Sequence, residues 1–231
     1  MSYVLQGANI SKKYGRHAIL NDLSLNIKQG EIYGLIGKNG SGKTTLFRIL
    51  TGLIPDYSGT VSFNGSRISA VINAPSLFLN MTVFENMKAQ CYLLGITDNN
   101  KIQRALKMVG LSEKNKQLVR NYSLGMTQRL KLALSLLENP DILILDEPSN
   151  GLDPDGIAEL RELIIELNQK HGITVLISSH ILSELGQVAT CLGILHDGKI
   201  VKELLDKEIF QDTVQLETIY RECTRGGVSH D

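Results

Sequence analysis

The chain has 231 residues, 42% hydrophobic and 21% charged, enough apolar material for one large domain or a domain plus a subdomain, which excludes a disordered or fibrous polymer. Lysine plus arginine balances aspartate plus glutamate at 24 each, so no bulk positive charge points to a nucleic-acid partner. No apolar run approaches the roughly 20 residues of a membrane span, and Met1-Ser2-Tyr3-Val4-Leu5-Gln6 lacks the basic start and apolar core of a signal peptide. The scattered Cys91, Cys191 and Cys223 suit packing in a reducing compartment, so a cytosolic chain without direct membrane insertion is expected.

In chain order, residues 4–10 and 18–27 read as strands, the second carrying Leu20, Leu23, Leu25 and Ile27 on a pattern broken by a polar turn. A third strand at 31–36 feeds the run Gly37-Lys38-Asn39-Gly40-Ser41-Gly42-Lys43-Thr44, after which Leu46, Phe47, Ile49 and Leu50 recur at helical spacing. Asn64-Gly65 signals a tight turn before a strand at 68–72. From about residue 82 to 138 the period becomes helical, with Val83, Met87, Leu93 and Leu94 in one segment and Ile102, Ala105, Leu106 and Val109 in the next. Strand and helix then alternate: a strand at 142–145, a helix at 154–169, a strand at 174–178 and a helix near 181–187. Asp197-Gly198 links two short strands as a hairpin, and the charged tail after Asp206 ends in a frayed Gly226-Gly227-Val228-Ser229-His230-Asp231. The expected fold is α/β, a mostly parallel sheet flanked by helices, preceded by an antiparallel element and interrupted by a helical subdomain. One domain would span 1–231: residues 1–74 and 139–205 as the core with its antiparallel element, 75–138 as the helical subdomain and 206–231 as the tail.

The run from Gly37 to Thr44 fits Gly-x-x-x-x-Gly-Lys-Ser/Thr, with the strand before it and the helix after it that this phosphate-binding pattern requires. Gly37, Gly40 and Gly42 lack a Cβ, so the backbone can take positive φ and turn its N–H groups toward a polyphosphate. The helix starting near Lys43 adds unpaired amides and the positive end of its dipole. Lys43 is expected against the β and γ phosphates of a nucleotide, and the Thr44 hydroxyl in the shell of Mg²⁺. The second chemical run is Ile142-Leu143-Ile144-Leu145-Asp146-Glu147. Its apolar part fits a strand buried on both faces, whose end opens where parallel sheets bind ligands. Asp146 is expected to help hold Mg²⁺, directly or through water, and Glu147 to accept a proton from, or polarise, the water that attacks the γ phosphate.

With these runs in this order the chain resembles the ATP-binding subunits of ABC transporters, nearly end to end from Tyr14 to His196. The resemblance implies a P-loop NTPase fold, ATP and Mg²⁺ as ligands, and a homodimer or heterodimer of such subunits acting with a membrane permease at the inner face of the cell membrane. It implies that Tyr14 stacks on adenine, the alternative being a packing tyrosine at a strand end. Gly37, Asn39, Gly40, Ser41, Gly42, Lys43, Thr44 and Thr45 would hold the phosphates. Ser149-Asn150-Gly151-Leu152-Asp153 resembles the loop after the acidic pair that touches the partner subunit, with Asp153 near the nucleotide. His180 resembles the histidine that contacts the γ phosphate and orients water, whereas read alone it is a structural histidine. Lys43, Glu147 and His180 form the implied catalytic set. His17, His171, His196 and His230 match nothing and read as surface or structural residues.

Two departures stand out. The family's Leu-Ser-Gly-Gly-Gln appears as Tyr122-Ser123-Leu124-Gly125-Met126, which retains the serine, the second glycine and the helical stretch after them, so Ser123 and Gly125 are implied to reach the γ phosphate held by the other subunit. Leu124 removes one glycine's backbone freedom. Asn73 stands where the family has glutamine; it is implied to contact Mg²⁺ or water through an extra solvent molecule or a shifted loop, or else it caps a turn. Leu77, Phe78, Met81, Val83 and Phe84 resemble a permease-docking groove, or pack within the subdomain. The altered signature and short tail resemble the branch that exports or protects against peptide antibiotics such as lantibiotics and bacitracin. The competing readings are a soluble non-transport ATPase of the same family and a regulatory or sensing subunit.

Overall fold

The computed structural model describes residues 2–72, 77–205 and 212–224. The chain opens with two long antiparallel strands, β1 (Tyr3–Tyr14) and β2 (His17–Lys28), whose inward side chains Leu5, Ile10, Leu20, Leu23, Leu25 and Ile27 are buried. The polar turn expected inside the second strand is instead a bulge. Asp22 takes φ 54 and donates its N–H to Ser11 Oγ at 2.8 Å, while Asn9 opposite does the same toward Ser24 Oγ at 3.0 Å. Each polar residue satisfies the backbone where the ladder is broken, so the strands bend and continue rather than stop.

The strand β3 (Ile32–Ile36) leads into α1 (Lys43–Leu50), and β4 (Ser58–Ser62) then returns to the free edge of β1, giving a three-stranded order β2-β1-β4. Asn64 and Gly65, at φ 46 and 78, form the expected turn, but it carries the chain from this sheet into the other one, where β5 (Ile68–Val71) lies. With β6 (Ile142–Asp146), β7 (Thr174–Ser179), β8 (Cys191–His196) and β9 (Lys199–Leu204), the larger sheet runs β5-β6-β7-β3-β8-β9. All neighbours in it are parallel except β9, which folds back on β8 through Asp197 and Gly198.

Because both faces of this sheet are covered, its central strands are apolar without alternation. Ile142, Ile144 and Leu176 face one core with α1 and the antiparallel sheet; Leu143, Leu145, Val175 and Ile177 face the other with the remaining helices. Those are α2 (Val83–Leu93), α3 (Asn100–Met108), α4 (Leu124–Leu136), α5 (Pro154–His171), α6 (Leu182–Gly186) and α7 (Thr213–Thr224). Local chemistry sets their starts. Thr82 and Glu85 form a reciprocal cap on α2, Ser123 caps α4, and Asp153 with Pro154 opens α5, which ends at Gly172 in the left-handed region. The segment expected as a charged tail contains α7, whose Leu216 is buried and whose Ile219, Tyr220 and Cys223 pack on the core. An apolar stripe at helical spacing runs through its charges. Residues 225–231 lie outside the described residues.

The order β6-β7-β3 places the loops leaving three parallel strands side by side, with Asp146 beside Ser178 and Ile36 beside Ser179. That edge is where ligands enter parallel sheets.

Candidate active site

Between β3 and α1 the loop 37–42 turns on Gly40 (φ 83) and Gly42 (φ 110), conformations that cost other residues about 1 kcal/mol or more. Gly37 has a different reason to be small: its φ is not positive, but a Cβ there would lie 2.5 Å from Ser41 Oγ and 2.8 Å from the Leu195 carbonyl. Gly42 caps α1 with no side-chain acceptor, leaving that helix's first amides directed at the cavity. Lys43 is buried, and its Nζ donates to the Gly37 carbonyl at 2.7 Å and stands 3.1 Å from Glu147 Oε1.

Across the cavity Asp146 accepts from Thr44 Oγ1 at 2.6 Å on one oxygen and from Ser178 Oγ at 2.8 Å on the other. The next residue, Glu147, takes φ 46, a rare conformation for a long side chain, and is held there by its N–H donating to Ser178 Oγ at 2.9 Å. Its Oε2 accepts from Asn150 Nδ2 at 2.6 Å and lies 3.1 Å from His180 Nδ1. Burial alone would raise the Glu147 carboxyl, but hydrogen bonds from Asn150 and Lys43 and the Lys43 charge outweigh it and hold the group below its ordinary value. Glu184 joins the two loops flanking this carboxylate, accepting from Ser149 Oγ at 2.6 Å and Ser179 Oγ at 3.2 Å.

The resulting cavity, about 690 Å³, is lined by Tyr14, Asn39, Gly40, Gly42, Lys43, Thr44, Thr45, Asp146 and Glu147. Tyr14 is half exposed at its rim, with the buried Lys12 ammonium 5.2 Å from the ring centroid and anchored on Asp56 at 3.0 Å. Ser123, Gly125 and Asp153 do not line it: Ser123 Oγ accepts from the Met126 N–H, and Asp153 accepts from the Gly156 N–H. Leu124 is the first residue of α4 in ordinary helical geometry, so no left-handed freedom is required at that position, and its exposed side chain leans toward Gly151. Asn73 lies outside the described residues. Sequence reading missed Ser178 and Glu184, as well as Gln128 and Lys131 in the cavity wall. The paired serines that end an otherwise apolar β7 and the Gln128-x-x-Lys131 spacing on α4 were the available signals.

Comparison with known proteins fits this geometry. Residues 20–150 match the family described as ABC transporter. The bacitracin transport ATP-binding protein BcrA of Bacillus licheniformis is 43% identical over 215 residues, spanning 88% of this chain and 70% of that protein. The lantibiotic transport ATP-binding protein SrtF of Streptococcus pyogenes is also 43% identical, over 225 residues, 94% of this chain and 96% of that one. Among solved structures, a dimeric ATP-binding cassette in a post-hydrolysis state bound to ADP and Pi superposes with a TM-score of 0.73 at 25% identity, covering 87% of this chain and 98% of that one. A strand-anchored phosphate loop facing an acidic pair, found in a chain matched over this length, makes it an ATP-binding, ATP-hydrolysing member of the ABC transporter family.

Proposed function

We propose that this chain powers a membrane transporter that exports, or protects against, peptide antibiotics, bacteriocins or related compounds, acting as one of two paired ATPase subunits beneath a permease. The observation that carries the reading is the double tie between phosphate loop and acidic pair, Lys43 to Glu147 and Thr44 to Asp146. The bacitracin and lantibiotic transport roles of BcrA and SrtF support the substrate class. Among the described residues no helix is long and apolar enough to cross a membrane, so membrane work calls for a partner that spans it.

The residues fit a nucleotide with Mg²⁺. Ser41 Oγ is buried with no partner among the described residues, in the loop where phosphate oxygens would lie. The Thr44 hydroxyl and Asp146 carboxylate offer hard oxygen ligands, and no three acidic, His or Cys side chains converge as a closed cage among the described residues. That suits a cation shared between protein and phosphate oxygens. Mg²⁺ would neutralise charge on the β and γ phosphates. Lys43 binds the same phosphates, Glu147 accepts the proton of the attacking water, and His180 orients Glu147 through its Nδ1. Ser123 and Gly125 stand at the exposed start of α4, away from their own chain's cavity, which supports their use on the γ phosphate held by a second subunit. In that arrangement ATP favours closure and its hydrolysis favours separation.

Hydrolysis should be measured for the purified chain alone and after reconstitution with the multi-span protein that co-purifies from membranes. Stimulation of several-fold is expected for a transport subunit. Equal rates with and without that protein would favour a soluble ATPase instead.

A further inference from the structure

Lys131 lines the same cavity as Lys43, Asp146 and Glu147, although it belongs to neither the phosphate loop nor the acidic pair. It projects from α4 between the buried Leu130 and Leu132 and is itself half-buried. Among the described residues no carboxylate lies within salt-bridge distance of it. Burial pushes its ammonium below the ordinary lysine value. A partly desolvated cation with no carboxylate beside it among the described residues is costly, and in a cavity suited to a polyanion the counter-charge is the ligand's to supply.

Its neighbours fix the helix that carries it. Gln128 Nε2, one turn earlier, donates to the Pro148 carbonyl at 2.9 Å, and Arg129 is clamped between the Val109 carbonyl at 2.8 Å and Glu159 at 2.9 Å. These bonds set the rotation of α4 and hold it against the residue that follows Glu147. Three residues after Gln128, Lys131 falls on the same side of α4 as the bond to Pro148, and it lines the cavity together with Asp146 and Glu147.

We propose that Lys131 contacts the γ phosphate of bound ATP, a second phosphate-binding lysine that links α4, and Ser123 at its start, to the presence of that group. This rests on the nucleotide site described above. The test is binding of ATP and of ADP, each with Mg²⁺, to the full chain carrying Glu147→Gln to block hydrolysis, compared with the same chain also carrying Lys131→Met or Lys131→Arg. One charge-assisted contact predicts that Lys131→Met weakens ATP about tenfold and ADP less than about threefold, with Lys131→Arg restoring most of the loss. Its melting temperature should hold or rise, because an unpaired half-buried charge has been removed. Unchanged ATP affinity, or equal losses for ATP and ADP accompanied by a lower melting temperature, would overturn the proposal. Should the parent chain bind neither nucleotide, it is the nucleotide reading that fails; where the parent binds, Lys43→Ala, expected to abolish binding of both nucleotides, confirms that the phosphate loop is the site being read.

Discussion

At the residue scale the site is a set of charges that satisfy one another. Glu147 is held in a rare backbone conformation and shares its carboxylate among Lys43, Asn150 and His180. Replacing it with glutamine should leave nucleotide binding intact and lower kcat by at least about 100-fold, the usual span for a general base; single-turnover hydrolysis at the parent rate would remove Glu147 from that role. The same residue makes an acid-stability prediction. Its folded-state pKa is depressed, so its stabilisation is present above the ordinary glutamate value of 4.5 and is lost as pH falls through the lower folded value. In melting curves taken across that acid limb, Glu147→Gln should be less sensitive to pH than the parent chain. The convergence of Lys43, Thr44, Asp146 and Glu147 on one cavity was legible because contiguous runs carry them. Ser178, Glu184 and Lys131 lie outside those runs, on β7, α6 and α4, and reach the site through β7 register, the serine bonds of Glu184 and the rotation of α4.

At the element scale, polar residues that look like breaks serve as joints. Asn9 and Asp22 bulge the long strands, and Gly59 of β4 fits against the bulge with φ 101, where a Cβ would lie 2.5 Å from the carbonyls of Ala8 and Asn9. Gly59→Ala should therefore destabilise the chain by more than about 2 kcal/mol in urea titrations, since strain and backbone collision add; a loss below about 0.5 kcal/mol would mean that β4 shifts freely. Local pattern cannot tell such a bulge from a turn, because both need a short polar residue at positive φ. The helix α7 was hidden for a related reason: Leu216, Ile219, Tyr220 and Cys223, which face the core, are interspersed with charges, a weaker signal than the continuous apolar run of β6. The parallel core was readable from such runs, whereas the partition of β4 and β5 into different sheets was not.

At the scale of the whole molecule, the start of α4 faces outward with little packed against it: a Cβ at Gly125 would meet nothing nearer than Ser123 Oγ at 4.0 Å. Gly125→Ala should leave the monomer's melting temperature unchanged or slightly higher, since alanine favours a helix over glycine by about 1 kcal/mol. If a second subunit presses there, the same change should cut ATP-driven dimer formation in sedimentation, scored in the Glu147→Gln background. An undiminished dimer would place the contact elsewhere. One bond inside each subunit bears on how such a pair wastes no fuel. The ammonium of Lys43 is neutralised by the carboxylate of Glu147, 3.1 Å away. On the proposed reading, a triphosphate settling into the loop would take over that cation and set the acid at liberty, so that the act of loading would also arm the trigger.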